Sequence, residues 1–398
     1  MIIMAVNSGG SSIKYELFSI EEEKEQSLSR GSVKRLYRPD SFWEGEKEGI
    51  KSRKEVPDLD HEKGLRLIID ILTQEGPLHS IQEIEAVGIK LINGGAEVTQ
   101  TSFIDSGVIQ ALQDLSGVTS VHNPPSLLAI EMFQKILPQT PLVGVFETTF
   151  HLSIPLPYRT YGLPWELSQK YGLKKLGFHG NSHRYIAERI ASLTSRAQKV
   201  ISCHLGSGCS VCAIKEGRSL DISSGFTPQS GTIMSTRPGD FDPQIITYLE
   251  EKANFSPQEI NRILTRESGL LGISGLSGEM WELEELSQKG EERAKLAVEV
   301  FVYQVKKYIG AFVALLNGLD SLVFTGGIGE NDSFIREKVG NNLDYLGIKI
   351  DREKNQEIKG KEGKISSSTS PVEVWVIPTN EELMVARETA KIVKERRK

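Results

Sequence analysis

Two segments of the chain echo each other. VNSGGSSIKYELF starts at Val6 and CHLGSGCSVCAI starts at Cys203. Each reads as strand, Gly/Ser turn, strand. A chain that carries such a hairpin in each half is expected to be a duplication, with one hairpin at the heart of each copy. A glycine-rich turn lets backbone N–H groups point at phosphate oxygens without side-chain obstruction. One Gly/Ser hairpin turn is commonplace. A third turn gives the pair its weight. Thr325-Gly326-Gly327-Ile328-Gly329-Glu330-Asn331 follows the strand-like run 321–325 and leads into a helix, where backbone can approach a nucleotide closely.

The length of 398 residues exceeds one typical core and suits two domains. A net charge of −6 gives no general attraction to nucleic acid or anionic membranes, so a bound anion must be held by local groups. The N-terminal MIIMAVNSGGSSIKYELF reads as a first strand, and no run of about 18 apolar residues occurs, so no membrane association and a cytoplasmic location are expected. Cys203, Cys209 and Cys212 are too few and too clustered for a disulfide framework. With His204 they match no standard zinc spacing, and they read as small buried residues.

Further elements follow from pattern. Strands are expected at 2–7, 12–19, 86–92, 141–146, 199–203, 209–214, 321–325 and 372–377, with the turn between the fifth and sixth spanning His204–Gly208. Helices are expected at 62–74, from Pro124-Pro125 to about Leu137, at 183–195, and along the long apolar stretch 293–317, which suits a core or a large interface. Ser256-Pro257-Gln258-Glu259 is a capping box with proline at the first helical position, and Thr379 to Glu382 reads as a second box opening the C-terminal helix. Residues 21–60 are polar and carry no clear period.

At this point the motifs resemble the acetate kinase family, within the acetate and sugar kinase, chaperone and actin superfamily. They are VNSGGSSIKY, HNPP (122–125), GFHGNSHRY (177–185), CHLGSGCS (203–210), GFTP (225–228), TRPGDFDP (236–243), SGLLGISGLSG (268–278), TGGIGEN (325–331) and PTNEEL (378–383), in family order over nearly the full length. The resemblance implies an α/β fold of two duplicated actin-like (ribonuclease H-like) domains with a central cleft. The first would span 1–149 plus 379–398 and the second 150–378. It also implies a homodimer formed through the second half, and transfer of a phosphoryl group from ATP to acetate, giving acetyl phosphate and ADP, reversibly.

A carboxylate nucleophile is already ionised at neutral pH, so no base is needed to create it. The protein's task is to align two anions and stabilise charge on the group in transit. The resemblance assigns that task to Arg237 and His179, with Glu147 as the third catalytic residue. Arg237 offers a planar fork to equatorial oxygens. His122 matches a residue near the phosphate. Asn7 and Glu381 match the metal positions, for magnesium or alternatively manganese, through water in part. Ser12 and Lys14 in the first hairpin look phosphate-facing. Nucleotide contacts map to His204, Leu205, Gly206, Ser207 and Gly208, to Glu279, Met280 and Trp281, and to Gly327, Ile328, Gly329, Glu330 and Asn331. The substrate carboxylate maps to Lys90, and a small acyl pocket to Ile92, Val121, Phe178 and Pro228.

The chain departs from the family at several of these positions. Lys90 stands for an arginine, Glu147 for an aspartate, Ser207 for an asparagine, Asn93 for a histidine, Gly10 for a serine, and Trp281 for an arginine near the nucleotide. Lysine loses the bidentate fork while glutamate adds a methylene of reach, so Lys90 and Glu147 are expected to form a matched ion pair. Trp281 can stack on a base or ribose but cannot neutralise phosphate. Three other readings stay open: a kinase for another short acid such as propionate, a pyrophosphate user, and a nucleotide-binding sensor without catalysis.

Overall fold

The computed structural model describes residues 1–21, 24–47, 49–95, 98–115 and 123–397. The chain divides into two compact units. One joins Met1–Thr149 to Asn380–Lys398, and the other is Phe150–Thr379.

The first unit is built on a mixed sheet of eight strands: β1 (Ile2–Ser8), β2 (Ser12–Ile20), β3 (Glu25–Lys34), β4 (Phe42–Lys47), β5 (Ile50–Glu55), β6 (Ala86–Leu91), β7 (Ser102–Phe103) and β8 (Leu142–Phe146). Their order is β5-β4-β3-β2-β1-β6-β8-β7. Strands β1 and β2 form the expected hairpin, with Asn7 opposite Lys14, whereas β6 and β8 run parallel to β1. The segment without a readable period supplies β3, β4 and β5, which widen the sheet. All six residues of β5 are exposed, so no apolar alternation betrays it.

Period-2 alternation sorts this sheet's side chains. Met4, Val6, Val87, Ile89 and Leu91 pack on one face, under the helices His61–Asp70 and Asn123–Ile136. Ile3, Ala5, Ala86, Val143 and Val145 pack on the other, with Val385, Ala386, Ala390 and Val393 of the helix Glu381–Arg397. Each large aliphatic side chain buried here stabilises the unit by about 1.5–3 kcal/mol relative to exposure. The C-terminal helix lies so close that a Cβ on Gly88 would stand 2.2 Å from Thr389 Oγ1.

The second unit has six strands: β9 (Lys199–Leu205), β10 (Cys209–Lys215), β11 (Arg218–Ile222), β12 (Ser321–Thr325), β13 (Gly363–Lys364) and β14 (Glu373–Val376), ordered β11-β10-β9-β12-β14-β13. Its five-strand core repeats that of the first unit. In both, an antiparallel meander leads to two further strands parallel to the first. Ile201, Cys203, Leu205, Val211 and Ala213 face the long helix Glu292–Leu316, which buries Phe301, Val305, Ile309 and Phe312 against them. Val200, Cys212 and Ile214 face the helix Gly180–Leu193 through Ile186, Ala187 and Ile190.

Three expectations change. Strand β9 runs through His204 and Leu205, so the turn between the hairpin strands is only Gly206–Gly208. Helix Gly180–Leu193 begins earlier than the periodicity indicates, because His179 takes a left-handed N-cap conformation (φ 56°) that the apolar pattern does not encode. The C-terminal helix is capped by Asn380, whose Oδ1 accepts from the Leu383 N–H, not by Thr379. Thr379 instead bonds Ser182 Oγ at 2.9 Å. The Ser256–Glu259 capping box forms as expected. Among the described residues no helix is long and apolar enough to cross a membrane.

Candidate active site

In the first unit, Asn7, Lys90 and Glu147 sit at the C-terminal ends of the adjacent parallel strands β1, β6 and β8. Open parallel sheets place ligands at that edge. Asn7 and Lys90 share the sheet parity of Ala5 and Ala86, the side covered by the C-terminal helix, and Glu147 continues the parity of Val143 and Val145. The Glu147 N–H donates to Leu91 O at 2.8 Å, which extends the β6–β8 ladder by one step. Lys90 Nζ lies 2.7 Å from Glu147 Oε1 and also contacts Glu381 Oε2, in the first turn of that helix. The expected Lys90–Glu147 pair is therefore present, and Glu381 joins it. Burial would pull the Lys90 pKa down, but Glu147 and Glu381 outweigh it and hold the ammonium well above its ordinary value.

Asn7 and Glu381, the expected metal positions, carry oxygen donors of the kind magnesium takes alongside water, and Glu381 Oε2 contacts the Lys90 ammonium. Among the described residues no cluster of three His, Cys, Asp or Glu stands ready for a metal. Ser12 is half-buried and Lys14 exposed on β2. Ile92 follows β6 and is half-buried, while the Asn93 side chain bonds the Gly95 N–H at 2.9 Å, bracing its own loop. Val121 and His122 lie outside the described residues.

In the second unit, His179 and Arg237 converge on one glycine. A Cβ built on Gly208 would meet Arg237 Nη2 at 3.0 Å and His179 Nε2 at 3.3 Å. The Arg237 loop is pinned by backbone bonds from Met234 N to Arg237 O, Leu270 N to Met234 O and Ser268 N to Thr236 O. Arg237 Nη1 donates to Pro228 O at 2.7 Å, which fixes the fork while leaving Nη2 directed at the turn. Burial lowers the Arg237 pKa from its ordinary value, yet an arginine stays charged. His179 stacks on His204 with ring centroids 4.3 Å apart. Phe178 is buried, its N–H donating to Ser224 Oγ and its carbonyl accepting from His151 Nε2. His151 is fully enclosed, and burial holds its pKa down at about 3 despite that carbonyl, so it is a neutral donor.

Beside the Gly206–Gly208 turn is a cavity of about 440 Å³. Its lining includes Gly206, Ser207, Glu279, Met280, Trp281, Gly327, Ile328 and Asn331, all expected at the nucleotide. Trp281 is 60% exposed. His204, Leu205, Gly208, Gly329 and Glu330 are not part of the lining. Leu205 is enclosed in the core, Gly329 packs on Phe324, and Glu330 Oε1 accepts from the N–H groups of Gly326 and Thr379. Glu330 thereby locks the turn rather than facing a ligand. Gly326 must be glycine: its φ is +77°, and a Cβ would come within 2.7 Å of Leu205 O.

Sequence reasoning did not find Glu284, Asp332, Phe334 or Lys359, which with Ser235, Gly278 and Ser333 complete the lining. Glu284 has its pKa raised to about 9 by burial and then by Asp332. Nor did it find the buried polar layer of Ser202, Ser210 and His183 beneath His179. Only the parity of β9 and β10 could have signalled that layer, since Ser202, His204 and Ser210 alternate with apolar residues.

Comparison with known proteins identifies the family. The model of the acetokinase family matches residues 2–387. The acetate kinase of Acetivibrio thermocellus is 44% identical over 400 residues, covering 99% of this chain and 100% of that one. The crystal structure of Porphyromonas gingivalis acetate kinase superposes with a TM-score of 0.87 at 37% identity, covering 98% of this chain and 99% of that one. A propionate kinase from Francisella tularensis gives a TM-score of 0.90 at 35% identity, with the same coverage. The fold is the two-unit actin-like α/β fold of these kinases. The chain belongs to the acetokinase family.

Proposed function

We propose that the protein is an acetate kinase, a phosphotransferase with a carboxyl group as acceptor: ATP and acetate give ADP and acetyl phosphate, reversibly. The observation that carries this is the convergence of Arg237 Nη2 and His179 Nε2 over Gly208, in the turn whose neighbours line the nucleotide cavity. A carboxylate oxygen attacks the γ-phosphorus, a P–O bond forms, and the bond to the β-phosphate oxygen breaks. The electron pair leaves with ADP, and no proton need move. Negative charge on the equatorial oxygens is met by the guanidinium fork and by an imidazole N–H. Groups preorganised this way typically contribute about 10²–10³ in rate each.

Magnesium, when bound, neutralises phosphate charge, and Asn7, Glu147 and Glu381 are the residues that would hold it. Lys90, flanked by two carboxylates, adds a cation for the substrate carboxylate while leaving the cluster net negative. Trp281 supplies the nucleotide with a stacking surface. The reaction belongs in the cytoplasm, where ATP is available. A homodimer through the second unit is supported by the exposed side of the long helix, which presents Leu296, Tyr303 and Leu315.

The likeness to a propionate kinase sustains a second reading in which the acyl chain is longer by one carbon. Acyl-phosphate formation measured with acetate, propionate and butyrate, ATP and magnesium decides between them. Highest kcat/KM with acetate is expected. Nucleotide binding without acyl phosphate from any of the three acids would overturn the kinase reading.

A further inference from the structure

His179 does not stand alone. Its Nδ1 lies 2.9 Å from Ser210 Oγ. The same oxygen lies 2.7 Å from His183 Nε2. His183 Nδ1 in turn lies 2.9 Å from Ser202 Oγ. Ser202, Ser210 and His183 are all 0% exposed. The chain of contacts is placed by alternation: Ser202 on β9 and Ser210 on β10 both face the helix Gly180–Leu193, whose first turn carries His183.

We propose that His183, acting through Ser210, is a positioning residue that holds His179 in the tautomer with its proton on Nε2. The inference rests on the reading above that Nε2 faces the phosphoryl group.

The reasoning is a count of protons. Ser210 has one hydroxyl proton and two imidazole neighbours, so it donates to one and accepts from the other. A neutral imidazole likewise has one donor nitrogen and one acceptor. His183 is neutral, its pKa pulled far down by burial and then by His151 and His204, whose rings lie 5.9 and 6.3 Å away. With His179 neutral, only two arrangements satisfy every link. In the first, His179 Nδ1 donates to Ser210, Ser210 to His183 Nε2, and His183 Nδ1 to Ser202. That leaves His179 Nε2 as a lone pair turned toward the Gly208 turn, where it would repel phosphate oxygens. In the second, Ser202 donates to His183 Nδ1, His183 Nε2 donates to Ser210, and Ser210 donates to His179 Nδ1. His179 Nε2 then carries the proton and donates outward. Phosphate oxygens only accept, so the second arrangement is the productive one. The chain couples the tautomer of a wholly enclosed histidine to that of the catalytic one, as orienting partners do for imidazoles at other sites.

The test is nitrogen NMR of protein labelled in its histidines, feasible because there are only seven. His179 is assigned by the signal lost in His179→Gln. At pH 7.5 the wild-type signal should be that of the Nε2–H tautomer. Ser210→Ala cuts the link without removing either ring. It should move His179 toward a tautomer mixture and lower kcat about tenfold, with KM for ATP and acid within about twofold. Ser210→Thr retains the hydroxyl and should restore both. If Ser210→Ala does not fold, Ser202→Ala at the far end should shift the same signal. An Nδ1–H tautomer in the wild type, or a tautomer indifferent to these substitutions, overturns the proposal. The NMR signal is independent of turnover, so inactivity toward every acid would sink the kinase reading while leaving the tautomer result standing.

Discussion

Lys90 Nζ lies 2.7 Å from Glu147 Oε1, and both side chains are almost wholly enclosed. The two positions expected to have changed as a matched pair are therefore in direct contact. The pair should behave as a unit. In a double-mutant cycle with Lys90→Arg and Glu147→Asp, the effects on kcat/KM should depart from additivity by at least ~0.5 kcal/mol, the usual size for groups in contact. Additive effects would show the pair to be uncoupled. Lys90→Met leaves Glu147 without its cation and should cost about 3–5 kcal/mol of stability. A raised lysine pKa contributes stability that is fully present below its ordinary 10.5 and lost only as pH climbs through the higher folded value. The deficit of Lys90→Met in thermal unfolding should thus be constant from about pH 6 to pH 9.

Gly208→Ala should damage catalysis more than folding. The added methyl meets the tips of Arg237 and His179, which can swing aside, and not backbone. A displacement of about 1 Å at the reacting centre costs on the order of 10²-fold in rate. We expect kcat to fall by about that factor, with the unfolding temperature nearly unchanged and ATP affinity within a few-fold by titration calorimetry.

Arg336 ties the Gly326–Asn331 turn to the segment behind it. It is completely buried and donates to Gly329 O at 2.9 Å, Asn355 Oδ1 at 2.7 Å, Asn355 O at 2.8 Å and Ile358 O at 2.7 Å. Burial lowers its pKa to about 10, so it remains charged at neutral pH. Arg336→Met strands these acceptors at about 1–3 kcal/mol each when they stay buried. A loss of at least ~3 kcal/mol in denaturant unfolding is expected, together with weaker ADP binding.

Glu284 lines the cavity beside the Gly206–Gly208 turn with its pKa raised to about 9, first by burial and then by Asp332. The folded state therefore holds a proton that the unfolded state releases above the ordinary 4.5. Between those values folding binds the extra proton, so stability falls as pH rises through this window. Glu284→Gln should flatten that slope. Its unfolding temperature relative to wild type should be higher at pH 8 than at pH 5, measured without nucleotide. An unchanged slope would mean that Glu284 is ionised in the fold.

The sequence made the duplication legible because its hairpins are short, glycine-marked and apolar on both faces, and TGGIGEN because a strand end running into glycines leaves few alternatives. The three strands within 21–60 were hidden for a physical reason. In β3 and β4 buried and exposed positions follow no strict alternation, and all six residues of β5, Lys51, Arg53 and Lys54 among them, are exposed, so no period marks these strands. Asn380 rather than Thr379 caps the C-terminal helix because Ser182, distant in sequence, engages the Thr379 hydroxyl. The contact of Lys90 with Glu381 and the His183–Ser210–His179 layer share that character. Each is set by which side of a sheet a residue faces and which helix covers it, and neither follows from local spacing.

The most direct measurement is single-turnover formation of acetyl phosphate by Arg237→Gln against wild type, with ATP binding measured in parallel. The account predicts a fall of about 10²–10³ in the chemical step with ATP affinity changed by less than a few-fold, because the Arg237 fork acts on the group in transit. Wild-type rates in Arg237→Gln, or a loss confined to ATP binding, would contradict it.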